Sequence, residues 1–380
     1  MTMSETNNEA TVSITVPQPS SDSDGDLFGY DGEVIHHPDY TVVVPVASDL
    51  LDNSAGINAR RFLQTAIALA DDNDGQVVLL GIATVDDMAA VEQLREDSKS
   101  DNEGRGEKLV PEVVTERQSQ LAKMVNAAEE IDQDQPVRAV VRVVTDTTQG
   151  VLDALDGGSE TAVLLLRRPG FDKGWLLGND TADTVVAEAE CDVFVENIGG
   201  RGEPHALYVP DVEDHTVASV AEAEAEAFDS ILLPAGTGPH SALAAEAARA
   251  VARKCDASVT VLHAIDPDAS GKERSDAKDL LTFAEYVLGP KVASEAELRE
   301  ASNPIDVIIE EAQNHDFTSI GSPEQKLGLR NLLFKPVQKT LMEKRNITVL
   351  MARDADRTAR SLYYRYRRAM ENSGTDGRSG

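Results

Sequence analysis

The first candidate functional segment of this chain is a short loop of glycines and cationic residues at positions 167–179. Glycine lets backbone N–H groups approach an anion closely, and the N-terminus of a following helix adds favourable charge. The residues that would form the site are Arg167, Arg168, Gly170, Lys173, Gly174, Gly178 and Asn179. They predict an anion or nucleotide-phosphate site, with Asn179 as the helix N-cap. The alternative is an ordinary turn whose cations screen a very acidic chain.

A second glycine turn, at residues 236–241, lies between an apolar run and an alanine-rich helical segment. Its ligand-binding candidates are Gly236 and Gly238, because open α/β sheets bind ligands beyond the carboxyl ends of their strands. The alternative is a tight turn in which Ser241 is the N-cap of the following helix.

The other reactive residue types form no catalytic pattern. The seven histidines lack metal-ligand spacing, and the sequence has no G-x-S-x-G elbow and no complete P-loop. Cys191 and Cys255 belong to no C-x-x-C pair, which predicts two reduced core thiols and no zinc site or disulfide. We therefore expect neither enzyme activity nor a bound metal.

These loops connect segments in which strand and helix patterns alternate. Continuous apolar runs at residues 41–48, 76–85, 137–144, 161–168 and 191–197 predict strands buried on both faces of a parallel sheet. Helical patterns lie between most of them, and the polar stretch 86–106 predicts a long loop. Right-handed crossovers make such an alternation a doubly wound sheet.

The pattern then recurs, so the chain is predicted to be a duplication. Residues 230–238 match 41–48, residues 258–266 match 76–85, and a weak strand at 291–298 and runs at 317–323 and 347–353 complete the second set. The predicted fold class is α/β, with two tandem domains that each contain a five-stranded, mainly parallel sheet flanked by helices. The predicted segments are a disordered acidic tail (1–38), domain 1 (39–198), a linker with its own βα unit (199–228), domain 2 (229–354) and a basic aromatic tail (355–380).

Both repeats resemble the universal stress protein family, over about residues 40–353. The motifs that carry the resemblance are VVVPVAS and ILLPAGTG, then VTVLHAID, then GWLLGNDTADTVVAEAECDVFVE and GLRNLLFKPVQKTLMEKRNITVLMA. The resemblance implies an adenine nucleotide alpha hydrolase-like fold and a stress-response or regulatory role. It also implies an internal pseudo-dimer paired through edge strands, and ATP or another adenine nucleotide as a ligand.

The chain departs from the nucleotide-binding pattern of that family, G-x2-G-x9-G-[ST] after the fourth strand. In domain 1, Leu165 and Arg168 replace the first two glycines, Gly178 keeps the last glycine, and Asn179 replaces the hydroxyl residue. The family's aspartate after the first strand is Ala47.

In domain 2, Gly321 keeps the first glycine position, but Glu324 replaces the second, and Phe334 and Lys335 replace the closing pair. Because the motif is degraded in both domains, the identity of any cofactor stays open.

The charge is strongly negative, with 67 acidic against 35 basic residues and a formal net charge of −32. Acid spread over the whole chain predicts a halophilic, archaeal protein whose self-repulsion is screened by salt; the alternative is an ordinary acidic protein with charged tails. Such a surface argues against general nucleic-acid binding. No secretory signal and no apolar run of membrane-spanning length is present, so we expect a cytoplasmic protein.

The expected partners follow from these observations. They are a small nucleotide, a second copy of the chain and a membrane transporter. The transporter is expected because Gly238-Pro239-His240 and residues 191–196 resemble segments of the universal-stress domains that are fused to amino-acid permeases in haloarchaea. The C-terminal arginines and tyrosines would dock on an anionic surface or fold back on the acidic body, and we favour the second. The leading hypothesis is a non-catalytic regulator that senses a nucleotide or controls a transporter; the alternative is an ATP-binding stress protein with slow hydrolysis.

Overall fold

The computed structural model describes residues 12–15, 40–46, 59–99, 112–155, 158–167, 179–198, 228–236, 239–322 and 348–355. The strands are β1 (Val12–Thr15), β2 (Thr41–Val46), β3 (Gln76–Thr84), β4 (Val137–Val144), β5 (Gly158–Arg167), β6 (Cys191–Asn197), β7 (Ser230–Pro234), β8 (Ser258–Ile265), β9 (Ser294–Glu300), β10 (Phe317–Gly321) and β11 (Thr348–Arg353). The helices are α1 (Ala59–Asp71), α2 (Met88–Lys99), α3 (Glu112–Ile131), α4 (Thr147–Leu152), α5 (Asn179–Glu188), α6 (Pro239–Cys255), α7 (Gly271–Leu288) and α8 (Pro304–Glu311).

All the described strands belong to one sheet, in the order β1-β4-β3-β2-β5-β6-β11-β10-β7-β8-β9. We call β1–β6 with α1–α5 the first half, and β7–β11 with α6–α8 the second half. Each half contains five parallel strands in the same order, with the first strand next to the fourth. The predicted fold class is confirmed. The halves are joined by antiparallel pairing of β6 with β11, which makes their two sheets continuous.

The junction has an approximate two-fold relation. Val195 pairs with Met351 at its centre, and the flanking pairs are Phe194 with Ala352 and Glu196 with Leu350. Asp74 and Asp256 both adopt a positive φ, 50° and 55°, and each lies two residues before the second strand of its half. Such backbone is uncommon for residues other than glycine, so its recurrence at matching positions supports a duplication.

Aliphatic side chains bury both faces of the sheet. Four valines of β2, at positions 42, 43, 44 and 46, are almost fully buried, as a central strand covered by helices on both sides requires. One core cluster extends under α1 and α6 across both halves, and a second fills the opposite face. Within the described ranges, Phe228 and Phe317 meet edge to face with ring centroids 4.8 Å apart.

Two sequence predictions were wrong. Residues 88–99, predicted as loop, form α2, in which the Asp87 side chain accepts a hydrogen bond from the Ala90 N–H at 2.8 Å and caps the helix. Residues 12–15, predicted as disordered tail, form β1 along the edge of β4, because the exposed edge of a sheet offers backbone hydrogen bonds that composition does not reveal. The predicted linker lies outside the described residues except for Phe228. The predicted basic tail also lies outside them except for Ala355.

Candidate functional site

Each half has a switch point where its strand order reverses, between β2 and β5 in the first half and between β7 and β10 in the second. Ligands of open α/β sheets bind beyond the carboxyl ends of the strands at such points. Arg167 is the last residue of β5 and Asn179 the first of α5, so the predicted cation loop connects these elements at the carboxyl edge of the first half. Its other members (Arg168, Gly170, Lys173, Gly174 and Gly178) lie outside the described residues.

Threonine hydroxyls lie along this edge of the first half, and none of these residues was predicted from the sequence to belong to a site. The hydroxyls of Thr84 and Thr147 are 3.0 Å apart, and those of Thr148 and Thr181 are 2.8 Å apart. The second pair ties α4 to the first turn of α5, and Asp146 caps α4. Hydroxyls can donate to an anion. The signal that could have identified them is the polar run of residues 145–148 directly after a predicted strand.

The corresponding edge of the second half is closely packed. The Gly236 N–H donates to the hydroxyl of Ser241 at 2.9 Å, so Ser241 bridges the turn from within α6. The prediction of Ser241 as N-cap was wrong, because the helix already begins at Pro239, a residue suited to the first helical position. Gly238 lies outside the described residues.

Gly321, the retained first glycine of the family motif, contacts the start of α6 directly. A Cβ there would lie 2.8 Å from the carbonyl carbon of His240 and 2.9 Å from the backbone nitrogen of Ser241. The absence of a side chain at Gly321 therefore permits the helix to pack closely on the strand. This packing brings the backbone of α6 onto the carboxyl end of β10.

Carboxylates of both halves meet near this second-half turn. Asp354 follows β11, and its N–H donates to Nδ1 of His240 at 3.0 Å. Asp192, at the start of β6, accepts the Tyr40 hydroxyl at 3.1 Å and the Ala355 N–H at 3.1 Å. Burial and the negative charge of Asp192 raise the pKa of Tyr40 well above its usual value. This environment disfavours an anion.

The matching positions of the first half carry different charges. Aligning the starts of β3 and β8 places Gln64 opposite Glu246, and Arg60 and Arg61 opposite Ala242 and Leu243. The two-fold relation at the junction places Thr348 opposite Asp192. The first turn of α1 therefore carries two arginines at positions where α6 has apolar residues.

Both arginines have partners in the fold. Arg60 pairs with Glu130 at 2.6 Å, and the guanidinium of Arg61 lies 4.3 Å from the ring centroid of Phe228. They supply local positive charge while serving the packing of α1.

Two glutamates, the buried Glu196 and the partly buried Glu246, have raised pKa values. Burial raises the pKa of Glu196 to about 8, against a 3.1 Å hydrogen bond from Thr65 and the charge of Arg61. Burial also raises the pKa of Glu246 to about 8, and nearby Asp192, Asp72 and Asp354 act in the same direction while Arg249 opposes them.

The histidines within the described part of the chain make polar contacts in the fold, and the two cysteines are buried or partly buried. Nδ1 of His263 donates to the Ala235 carbonyl at 2.8 Å, and Nε2 of His315 lies 3.3 Å from Glu311. Cys191 is buried, which raises the pKa of its thiol to about 12, and Sγ of Cys255 accepts from Gln64 at 3.2 Å. Among the described residues, no group of three or more His, Cys, Asp or Glu side chains is placed to hold a metal ion. No helix within these ranges has the length and apolar character needed to cross a bilayer.

Comparison with known proteins agrees with this architecture. The model of the universal stress protein family matches residues 227–353. No curated protein matches the sequence. A universal stress protein from Archaeoglobus fulgidus is 12% identical, with 84% of this chain and 98% of that one covered and a TM-score of 0.46.

The cytoplasmic domain of a prokaryotic cation chloride cotransporter is 16% identical, with 85% and 99% covered and a TM-score of 0.46. A universal stress protein in complex with cAMP is 19% identical, with 33% and 97% covered and a TM-score of 0.27. Similarities of this size carry no function across. The family match and the sheet topology together show that the chain carries a universal stress protein domain at residues 227–353.

Proposed function

We propose that this chain is a non-catalytic, cytoplasmic regulator of the stress-response type that senses an anionic nucleotide through its first half alone. The observation that carries the proposal is the contrast between the two carboxyl edges. In the second half, Gly236 donates its N–H internally and buried carboxylates lie nearby. In the first half, the predicted cation loop joins the end of β5 to the start of α5, hydroxyls of α4 and α5 meet, and the first turn of α1 contains two arginines.

The physical reason for the contrast is electrostatic. N–H groups, hydroxyls and cations stabilise a bound phosphate, whereas ionised carboxylates close to it destabilise it. We therefore propose that duplication gave two sites and that the second became a structural support for the first. Halophilic adaptation belongs to the same proposal, because the net charge of −32 would be screened by molar salt.

The direct test is calorimetry with ATP and AMP in about 2 M KCl, where the Debye length falls below about 3 Å and non-specific attraction is suppressed. The test variant carries Arg168→Gln and Lys173→Gln. The control carries Lys123→Gln and Lys278→Gln, exposed lysines of α3 and α7, so that both variants lose two positive charges.

We expect the loop variant to bind ATP at least about tenfold more weakly than the control, since a charge-assisted hydrogen bond contributes about 1.5–3 kcal/mol. Equal affinities of the two variants, or no heat with the unmodified protein, would remove the proposed site. ATP turnover that is lost in the loop variant would instead favour the alternative of a slow hydrolase.

Regulation of a transporter is the second candidate function for the same fold. The two segments that suggested it have structural roles: residues 191–196 belong to β6 at the junction, and His240 accepts a hydrogen bond from Asp354. These roles account for both segments without a partner, so the nucleotide proposal takes precedence.

A further inference from the structure

The two ends of the eleven-stranded sheet differ in how their edges are covered. At one end, β1 pairs with β4 in antiparallel register, from Val12 opposite Val143 to Thr15 opposite Val140. At the other end, β9 pairs only with β8 among the described residues. The unpaired N–H and C=O groups of an edge strand are a template for a further strand. The two ends of the sheet are therefore the places where this chain could add a strand from another molecule.

Without β1, the edge of the sheet at β4 would be long and apolar. β4 has eight residues, of which five are valine and one is alanine. β1 has only four residues, and it covers β4 from Val140 to Val143. Long apolar edges promote association between chains, and a short edge strand is one of the means by which proteins prevent it. β1 therefore replaces a long apolar edge by a short one.

β4 and β9 carry opposite charge, since β4 contains two arginines and no acidic residue, whereas β9 contains three glutamates and one arginine. On β9, Arg299 pairs with Glu297 of its own strand. Arg138 of β4 and Glu295 of β9 are exposed. Pairing of two β4 strands or of two β9 strands would bring like charges together, whereas pairing of β4 with β9 brings opposite charges together. The charges therefore favour a contact between unlike ends of two copies.

The exposed charges of the two strands lie on the same face of the sheet. Val141 of β4 and Leu298 of β9 both pack in the core cluster under α1 and α6. Arg138 and Glu295 are each an odd number of positions away from these residues, so they lie on the opposite face, because side chains alternate along a strand. In a continuous sheet made by two copies, an arginine of one copy and a glutamate of the other would thus meet on one face.

The directions of the strands also allow this pairing. The strands from β2 to β6 are parallel, those from β7 to β11 are parallel, and β6 pairs with β11 in antiparallel fashion. β4 and β9 therefore run in opposite directions. A second copy that continues the sheet with the same face would place its β9 antiparallel to β4, which is the direction that β1 has. β9 of a second copy therefore fits in the place of β1.

We propose that β1 is an internal cap on the edge of β4, and that its displacement lets β4 pair in antiparallel register with β9 of a second copy. Each such contact leaves one free β4 edge and one free β9 edge, so copies add head to tail and do not close as a dimer. The cap is independent of the nucleotide proposal, because it uses none of the residues of loop 167–179.

The test is size-exclusion chromatography with light scattering in about 1 M KCl, over a range of protein concentrations. Two variants remove the cap. One lacks residues 1–16, and the other is the full chain with Ser13→Pro and Ile14→Pro, since proline cannot donate to the ladder. The control carries Asn7→Pro and Asn8→Pro, which lie before β1 in the sequence. Circular dichroism checks that each variant keeps its secondary structure.

Charge substitutions in the chain with the two prolines in β1 identify the strands that associate. Arg138→Glu and Glu295→Arg should each weaken association by about tenfold, because each brings like charges together, and their combination should restore part of the loss. Lys123→Glu and Glu310→Arg, at exposed positions of α3 and α8, change the net charge by the same amounts and should leave association unchanged.

We expect the unmodified protein and the control to keep a mass that does not grow with concentration. Both variants without the cap should grow with concentration beyond twice that mass. The proposal is overturned if both keep the mass of the unmodified protein, or if Glu295→Arg leaves their growth unchanged. Growth that stops at twice the mass would also overturn it, because two β4 strands would then be paired with each other.

Discussion

At the scale of single residues, Gly321 retains a glycine of the family's ligand-binding motif, but in this structure it permits the packing of a helix on a strand. The resemblance gave it a role in approaching phosphate, whereas the structure places the backbone of His240 and Ser241 where a side chain would begin. The contact belongs to residues far apart in sequence, so the motif alone could not predict it.

Gly321→Ala is expected to lower the free energy of unfolding by about 1–3 kcal/mol, because neither backbone can yield to a Cβ under 3 Å away. Gly271→Ala is the matched control, since a Cβ at Gly271 meets nothing within 4 Å. At the first residue of α7 it should be neutral or stabilise by up to about 1 kcal/mol. Denaturant titration checks both, and an equal effect of the two substitutions would contradict the packing role.

At the scale of elements, the sequence predicted the buried strands but not the helix and strand whose apolar pattern is weak. Continuous valine and leucine runs indicated the central strands, and β9 was found despite its polar sequence. Helix α2 was missed because Val91 is its only side chain classed as buried among the described positions 88–95. Strand β1 has four residues and gains its hydrogen bonds from β4, so it carries almost no local signal.

Asp72, directly after α1, pairs at 2.8 Å with Arg249 and Arg253 of α6, and this contact between the halves gives a prediction with an internal control. Asp72→Asn would leave Arg249 buried beside a neutral amide, and we expect a loss of about 3–5 kcal/mol, as for other broken buried pairs. Asp71→Asn breaks a pair whose carboxylate is 53% exposed, so its cost should be at most about 1 kcal/mol.

Equilibrium unfolding in about 2 M KCl is the measurement, since screening suppresses the exposed pair more than the buried one. A loss at Asp72 no larger than that at Asp71 would mean that the buried pair does not hold the halves together.

At the scale of the whole molecule, the chain consists of two halves that share one strand order and differ in charge at matching positions. The sequence predicted the duplication and the doubly wound sheets, because each half repeats the same order of apolar runs. It could not predict the acid cluster of the second half, since Tyr40, Asp192 and Asp354 meet only after β6 pairs with β11.

The proposed functional asymmetry rests on this difference in charge. We propose that the first half carries the anion site, while the closely packed turn of the second half serves as structural support. The second half carries the family match, yet its turn packs on its own helix. A family match therefore does not by itself locate a ligand in this chain.

The number of ATP molecules bound per chain at saturation tests this asymmetry most directly. Equilibrium dialysis with labelled ATP in about 2 M KCl would count them, with salt suppressing non-specific attraction. One ATP per chain, lost when Arg168 and Lys173 are replaced by glutamine, is the result we predict. Two per chain, or one that persists in that variant, would contradict the account.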